Sequence, residues 1–354
     1  MVELACGLKE LGHHVEFFIY FPEHDFFAER VRAAGIMIHQ FRKGRGFSFV
    51  VIWKLIALMR GHDFDLVLAY LNNPNIYAEL ARLVASRPML VVSERCSHHD
   101  DRSPVASSFR RALHQLADSL VSNSQTHATW LRTKWRLSRK VTAIYNGFDL
   151  ESFRPERRSF SPQQEIRLLA VGRICPQKNL ITLIEGLRVF HVRNGYAPSV
   201  SWVGKPDVGA DGKRYGDMVL NTLDRYPEIK KRWHWLGEQR DIASILNEYY
   251  ALIHPSHYEG LPNAVCEALA TGMPVLVSDV CDHSLLVEDG KRGFLFNPES
   301  PESIATALQK LVELSPNEWA AFSAEARMFA VDHLGVDRMV RAYENLFSGL
   351  VNRR

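Results

Sequence analysis

The sequence predicts an α/β protein made of two doubly wound, parallel-sheet halves, and three observations point to it. The chain has 354 residues, which at roughly 100–200 residues per domain favours two domains. Runs of β-branched and aromatic residues alternate with helical patterns along most of its length, the rhythm of βαβ units. A polar stretch at 151–165, with Arg154, Pro155, Arg157, Arg158 and Pro162 and few apolar residues, interrupts that rhythm and reads as a linker.

The elements follow in order. Val2, Leu4, Ala5, Leu8 and Leu11 recur at helical spacing and stop at Gly12, so a helix is expected first, then a strand at 15–21. Strands at 66–70, 89–93 and 120–123 alternate with helices at 76–85 and 109–117. Beyond the linker, strands are expected at 166–171, 199–203, 233–236, 250–255 and 274–278, with helices from about 179, at 242–248 and through 267. Two long helical patterns close the chain, broken near Leu334-Gly335; in the last, Met339, Val340, Tyr343, Leu346, Phe347 and Leu350 form one apolar stripe.

Composition narrows the function classes. With 46% hydrophobic and 23% charged residues the chain is neither disordered nor fibrous. A formal charge of +3, from 43 basic and 40 acidic residues, is too small for a chain-wide nucleic-acid surface. The five cysteines are scattered without a Cys-x-x-Cys pair, which argues against a disulfide framework or a zinc knuckle and fits a reducing cytosol. The longest apolar stretch, 47–59, contains Lys54 and falls short of a membrane span, and no signal-peptide pattern opens the chain.

Charge is nevertheless uneven. Residues 1–150 hold 19 bases and 14 acids, and the remainder 24 and 26. Between Arg30 and His62 there is no acid, while Arg30, Arg32, Arg42, Lys43, Arg45, Lys54 and Arg60 surround the apolar run 47–59. That segment reads either as a basic amphipathic element lying on an anionic membrane or as an ordinary helix packed on the sheet.

Open parallel sheets bind ligands beyond the carboxyl ends of their strands. After 166–171 comes a loop with Gly172, Arg173, Lys178 and Asn179 leading into a helix. Two cations and a helix start suit a diphosphate, although a solvated surface loop has the same composition. After 250–255 come Glu259, Gly260, Leu261, Pro262, Asn263 and Glu267. Pro262 is expected in the first helical turn, and a carboxylate beside that helix could accept hydrogen bonds from vicinal sugar hydroxyls. Asp63-Phe64-Asp65 looks like a metal site but precedes a strand, and His98-His99-Asp100-Asp101 lacks metal-ligand spacing.

Taken together, Gly172-Arg173, Lys178-Asn179, Gly237 and the run Glu259-Gly260-Leu261-Pro262 through Glu267 resemble the donor site of retaining glycosyltransferases of family 4, whose fold is GT-B. Glu259 and Glu267 match that family's Glu-x7-Glu motif, and Ser122-Asn123-Ser124, Tyr145-Asn146-Gly147-Phe148-Asp149 and Phe153 add to the likeness, which covers nearly the whole chain. It implies two Rossmann-like domains facing a cleft: an acceptor-side domain from 1–150 plus a terminal helix at 336–354, and a donor domain at 166–335.

The resemblance also implies roles. Arg173 and Lys178 would bind the diphosphate of a nucleotide-sugar, Glu259 would face the transferred sugar, Glu267 would hold the ribose, and Gly172, Gly237, Gly260, Leu261, Pro262 and Asn263 would frame the donor. Arg173, Lys178 and Glu259 are the catalytic candidates. Retention by front-face attack is implied, with neither a metal nor a cofactor.

On the acceptor side, Glu94 takes the place of the histidine common in the family, which resembles members acting on lipid-linked sugars. Glu94, Arg95 and His98 are therefore the acceptor-side candidates, a Glu94–Arg95 structural ion pair being the competing reading. The partners implied are a nucleotide-sugar and a glycan or lipid-linked acceptor, with no nucleic acid, in the cytoplasm or at the inner membrane face. A non-catalytic glycosyltransferase-like subunit and a GT-B nucleotide-sugar epimerase are the alternatives. Members of the family normally begin with a strand and a glycine-rich turn ahead of the helix matching 2–11, so the first domain is expected to lack both.

Overall fold

The structure is a computed structural model that describes residues 1–23, 27–86, 88–95, 104–135, 137, 140–156 and 166–353. The chain forms two compact units, Met1–Gly147 with Val336–Arg354, and Phe148–Gly335.

The first unit runs α1 (Val2–Glu10), β1 (Glu16–Ile19), α2 (Ala28–Ala33), β2 (Met37–Gln40), α3 (Phe49–Gly61), β3 (Leu66–Tyr70), α4 (Asn72–Arg82), β4 (Met89–Glu94), α5 (Pro104–Leu113), β5 (Ser119–Ser122), α6 (Gln125–Lys134) and β6 (Val141–Ala143). Strands β3 to β6 form a parallel sheet in chain order, and β1 pairs in parallel with β2. Leu90, Val91 and Val92 of β4 are fully buried, because helices covering both faces of a parallel strand select an unbroken apolar run.

Four elements of this unit, α2, β2, α6 and β6, were not expected. β2 reads Met-Ile-His-Gln with its ends exposed, so it lacks the alternation that marks a strand. Helix α3 carries the apolar run of the basic segment. It buries Val51, Ile56 and Met59, yet leaves Phe49 at 71% and Trp53 at 66% exposure, so it is not apolar on all sides by burial.

The second unit runs β7 (Arg167–Val171), α7 (Leu180–Asn194), β8 (Ser199–Val203), α8 (Ala210–Arg225), α9 (Pro227–Lys230), β9 (Trp233–Gly237), α10 (Ile242–Leu246), β10 (Ala251–His254), α11 (Asn263–Ala270), β11 (Val275–Ser278), α12 (His283–Val287), β12 (Gly293–Phe296), α13 (Pro301–Val312) and α14 (Pro316–His333). The final helix, α15 (Val336–Val351), packs in the first unit, where its Met339, Val340 and Tyr343 meet Leu4 and Leu8 of α1. A Cβ on Gly7 would lie 2.5 Å from Val340, so the small residue sets how closely these two helices approach.

The six strands of the second unit are parallel in the order β12-β11-β10-β7-β8-β9. The chain winds outward from β7 through β8 to β9, then returns to the other side of β7 with β10. The direction of winding therefore reverses between β7 and β10, which makes this the topological switch point of the sheet. Helix α7 covers the sheet with Leu180, Leu183, Ile184, Leu187 and Phe190, all fully buried at helical spacing, and ends at Gly195, whose φ of +75° suits glycine.

Residues 148–156 belong to the second unit. Arg327 of α14 donates to the carbonyl oxygens of Leu150, Phe153 and Ala270 at 2.7 to 3.2 Å, fastening this strip to the helix. The rest of the expected linker, 157–165, lies outside the described residues. Among the described residues, no helix is long and apolar enough to cross a membrane.

Candidate functional site

The loops that follow β7 and β10 meet at the switch point. Gly172 opens the first loop, its N–H donating to Val203 O at 2.9 Å and its carbonyl accepting from Trp202 Nε1 at 2.8 Å. A Cβ at Gly172 would lie 2.9 Å from Lys178 Cε, so glycine leaves the lysine its path across the loop. A tight turn over Pro176–Lys178 follows, and Asn179, at φ +53°, swings the chain into α7 while its side-chain amide donates to Pro298 O at 2.8 Å.

Lys178 Nζ reaches Glu259 Oε1 at 2.5 Å, and His254 Nε2 lies 3.0 Å from the same oxygen. Gln177 stitches the two loops together, donating from Nε2 to Tyr258 O at 2.8 Å and accepting from the His257 N–H at 2.9 Å. Burial works against a charge on Glu259, but the His254 hydrogen bond and the Lys178 ammonium overcome it and hold the carboxyl well below the usual carboxylate range. The result is a buried, ionised acid clamped to a cation.

Glu267 differs. It sits in the second turn of α11, its carboxyl has no hydrogen-bond or ion-pair partner among the described residues, and that carboxyl is pushed up to about 7 by burial. Pro262 stands one position earlier than expected: with ψ at 90° it is the N-cap, and Asn263 opens the helix. The N–H groups of Val265 and Cys266 turn back to its carbonyl at 3.0 and 3.1 Å. Leu261 is buried, and Gly260 half-buried, in the loop ahead of it. Gly237 ends β9 at φ +66° and accepts from the Gly204 N–H at 2.8 Å.

Arg173 stays outside the clamp. Its side chain is 60% exposed and pairs with Asp207 Oδ2 at 2.8 Å. Three neighbours of the site escaped the sequence reading: Asp207, His254 and Gly204. A Cβ on Gly204, at φ +137°, would fall 2.0 Å from Gly172 O, so only glycine fits there. The signal for His254 was available, as the one polar residue of the buried strand Ala-Leu-Ile-His.

In the first unit Glu94 ends β4 at 2% exposure. Its Oε2 lies 2.6 Å from His127 Nε2, and its Oε1 lies 3.1 Å from His114 Nε2 and 3.5 Å from Arg110 Nε. His114 Nδ1 lies 2.5 Å from Glu79 Oε1, so carboxylates flank both ring nitrogens. Burial alone would lower the His114 pKa, but Glu79 and Glu94 raise it to about 9 and make the ring an imidazolium. Arg95 turns the other way: it bonds Asn146 Oδ1, lies 3.3 Å from Ser93 Oγ and 3.4 Å from Tyr343 OH, and stacks over the Tyr70 ring at 4.5 Å. Glu94 and Arg95 therefore do not pair with each other, as expected of adjacent residues at a strand end, which point to opposite faces. His98 lies outside the described residues.

Two family models match the chain. Residues 1–152 match the model described as Glycosyltransferase Family 4, and residues 165–314 match Glycosyl transferases group 1. The chain belongs to glycosyltransferase family 4. Among curated family relatives it is 31% identical over 182 residues to an Escherichia coli UDP-Gal:alpha-D-GlcNAc-diphosphoundecaprenol alpha-1,3-galactosyltransferase, covering 49% of this chain and 46% of that protein. It is 27% identical over 232 residues to the D-inositol 3-phosphate glycosyltransferase of Streptomyces avermitilis, covering 61% and 49%. The chain thus spans about half the length of these relatives.

Solved structures place this family member in the GT-B fold. A Rickettsia africae glycosyltransferase superposes with a TM-score of 0.83 at 14% identity, covering 100% of this chain and 94% of that one. Anabaena HepE in complex with UDP superposes at 0.82 and 18% identity, covering 98% and 94%.

Proposed function

We propose that this protein is a retaining glycosyltransferase that moves a hexose or N-acetylhexosamine from a UDP- or GDP-type sugar to a glycan or lipid-linked saccharide acceptor in polysaccharide or glycoconjugate biosynthesis. The observation that carries the reading is the clamp of Lys178 on Glu259 at the switch point, with Glu267 unpartnered on the adjoining helix.

Arg173 and Lys178 bind the diphosphate, and their charges stabilise the negative charge that grows on the departing phosphate. They supply the cations of the site, so the reaction needs no metal or cofactor. Glu259 accepts a hydrogen bond from a hydroxyl of the transferred sugar, and Glu267 accepts from the ribose. Gly172, Gly237 and the run Gly260 to Asn263 frame the donor. The acceptor hydroxyl attacks the anomeric carbon on the face the diphosphate leaves, its proton passes to a phosphate oxygen, and configuration is retained. Arg95 and the segment through His98 serve the acceptor side, with Glu94 holding the end of β4 in place.

The alpha-1,3-galactosyltransferase relative, whose name gives a diphosphoundecaprenol-linked sugar as acceptor, supports a lipid-linked acceptor here as well. Exposed Phe49, Val50 and Trp53 on α3, beside Lys54 and the bases of 42–45, fit contact with an anionic membrane at its inner face.

A panel of UDP- and GDP-sugars tests the reading by turnover on lipid-linked saccharides. At least one donor should be consumed, with an α-configured product by NMR. Lys178→Ala and Glu259→Ala should each lose on the order of 10²-fold in kcat. Inversion of configuration, or full activity in both variants, would refute the assignment.

A further inference from the structure

The polar cluster extends behind Glu259. His254 is 2% exposed, and its Nε2 lies 3.0 Å from Glu259 Oε1 and 3.1 Å from Ser256 Oγ. Lys178 takes the same carboxylate oxygen at 2.5 Å, whereas Oε2 has no partner among the described residues. Behind His254 stands the fully buried His283, the two ring centroids 5.5 Å apart and nearly perpendicular. His283 Nδ1 lies 2.6 Å from Ser278 O, so it carries the proton and donates. Ser278 Oγ in turn donates to Ser256 O at 2.5 Å. The chain of contacts holds the His254 ring from behind.

Burial, and then the Lys178 charge, lower the His254 pKa, and burial takes His283 down to about 4, so both rings are neutral at pH 7. A neutral imidazole has one N–H. Facing a carboxylate that stays ionised, His254 places it on Nε2 and donates. The terminal torsion of a glutamate is soft, and a carboxylate held only by a long lysine can rotate about it. Two donors converging on one oxygen fix its plane.

We propose that His254 is a positioning residue for the transferred sugar: with Lys178 it pins Glu259 Oε1, so that Oε2 is presented to a hydroxyl of the sugar. This rests on the reading of Glu259 as the group that faces that sugar. His254 itself touches the sugar nowhere in this arrangement. It acts through Glu259, and its loss should affect the sugar and spare the nucleotide.

The test compares wild type with His254→Leu, His254→Gln and His254→Asn, using the best sugar nucleotide of the panel and the same nucleoside diphosphate, UDP or GDP, without sugar. In His254→Leu, kcat should fall on the order of 10²-fold, the scale of a misplaced reacting group, while the Kd for the bare diphosphate stays within about twofold of wild type, below the ~1.4 kcal/mol that a tenfold change represents. Glutamine can bring an amide N–H to the Nε2 position and should recover most of the turnover; asparagine reaches only the Nδ1 position and should not. Wild-type turnover in His254→Leu, or equal rates for the Gln and Asn variants, would overturn the inference alone. So would a parallel loss of affinity for bare and sugar-bearing nucleotide, the mark of a merely structural role. If His254→Leu does not fold, the Gln and Asn pair decides. Wild type that binds no sugar nucleotide would overturn the reading of the site and this inference together.

Discussion

Glu267 and Glu259 stand eight residues apart in the same segment, yet their carboxyls are driven in opposite directions. Glu259 meets a cation and a histidine N–H, whereas Glu267 meets only burial, which raises it to about 7. A raised acid binds a proton more tightly folded than unfolded, so its contribution to stability is lost as pH climbs from about 4.5 through 7. Glu267→Gln should accordingly melt higher than wild type at pH 8, by about 1–3 kcal/mol, with the gap closing toward pH 5. On the proposed role of Glu267, ribose hydroxyls donate to its ionised form, so nucleotide affinity of wild type should rise with pH across the same window and that of Glu267→Gln should not. Thermal melts and titration calorimetry over pH 5–8 check both halves; a pH-independent gap would contradict the assignment of the shift.

Position after a strand end singled out Lys178 and Glu259 as candidates, and the resemblance to the Glu-x7-Glu motif added Glu267. Neither could reveal what surrounds Glu94. The partners of Glu94, His114 and His127, come from α6 and the turn after α5, and only folding brings them to β4. Glu94→Gln would remove a carboxylate that two histidines share, so that residue supports β4 before it can serve any acceptor.

Among elements, the strands legible in the sequence were β1, β3, β4, β5, β7, β8, β9, β10 and β11, each falling where β-branched, aliphatic or aromatic residues cluster. The short edge elements were not: β2, β6 and β12 have three or four residues and little pattern to read. Helix α3 was legible as a segment but not by face. Its outward Phe49, Val50 and Trp53 beside Lys54 leave an apolar strip rimmed by bases, and burying such a strip in a lipid interface yields about 25 cal/mol per Å² of apolar area. Wild type should co-sediment with vesicles containing anionic lipid and not with neutral ones. Trp53→Ser with Phe49→Ser should lower the bound fraction at least tenfold without lowering the melting temperature. Equal absence from both pellets would remove α3 from any membrane role.

For the whole molecule, the two-sheet plan followed from alternation and length, but the winding order did not. Nothing in the residue pattern states that β10 lies beside β7, and the meeting of Lys178 with Glu259 across 81 residues depends on that one adjacency. The adjacency puts two strand ends, two loops and a helix start at one point of the second unit, and the chemistry proposed for the protein is concentrated there. The most direct measurement is a crystal structure of the protein grown with UDP or GDP. The diphosphate is expected at the carboxyl ends of β7 and β10 within hydrogen-bond distance of Lys178 and Arg173, with a ribose hydroxyl on Glu267. A nucleotide bound elsewhere on the chain, with the Lys178–Glu259 clamp untouched, would contradict the account.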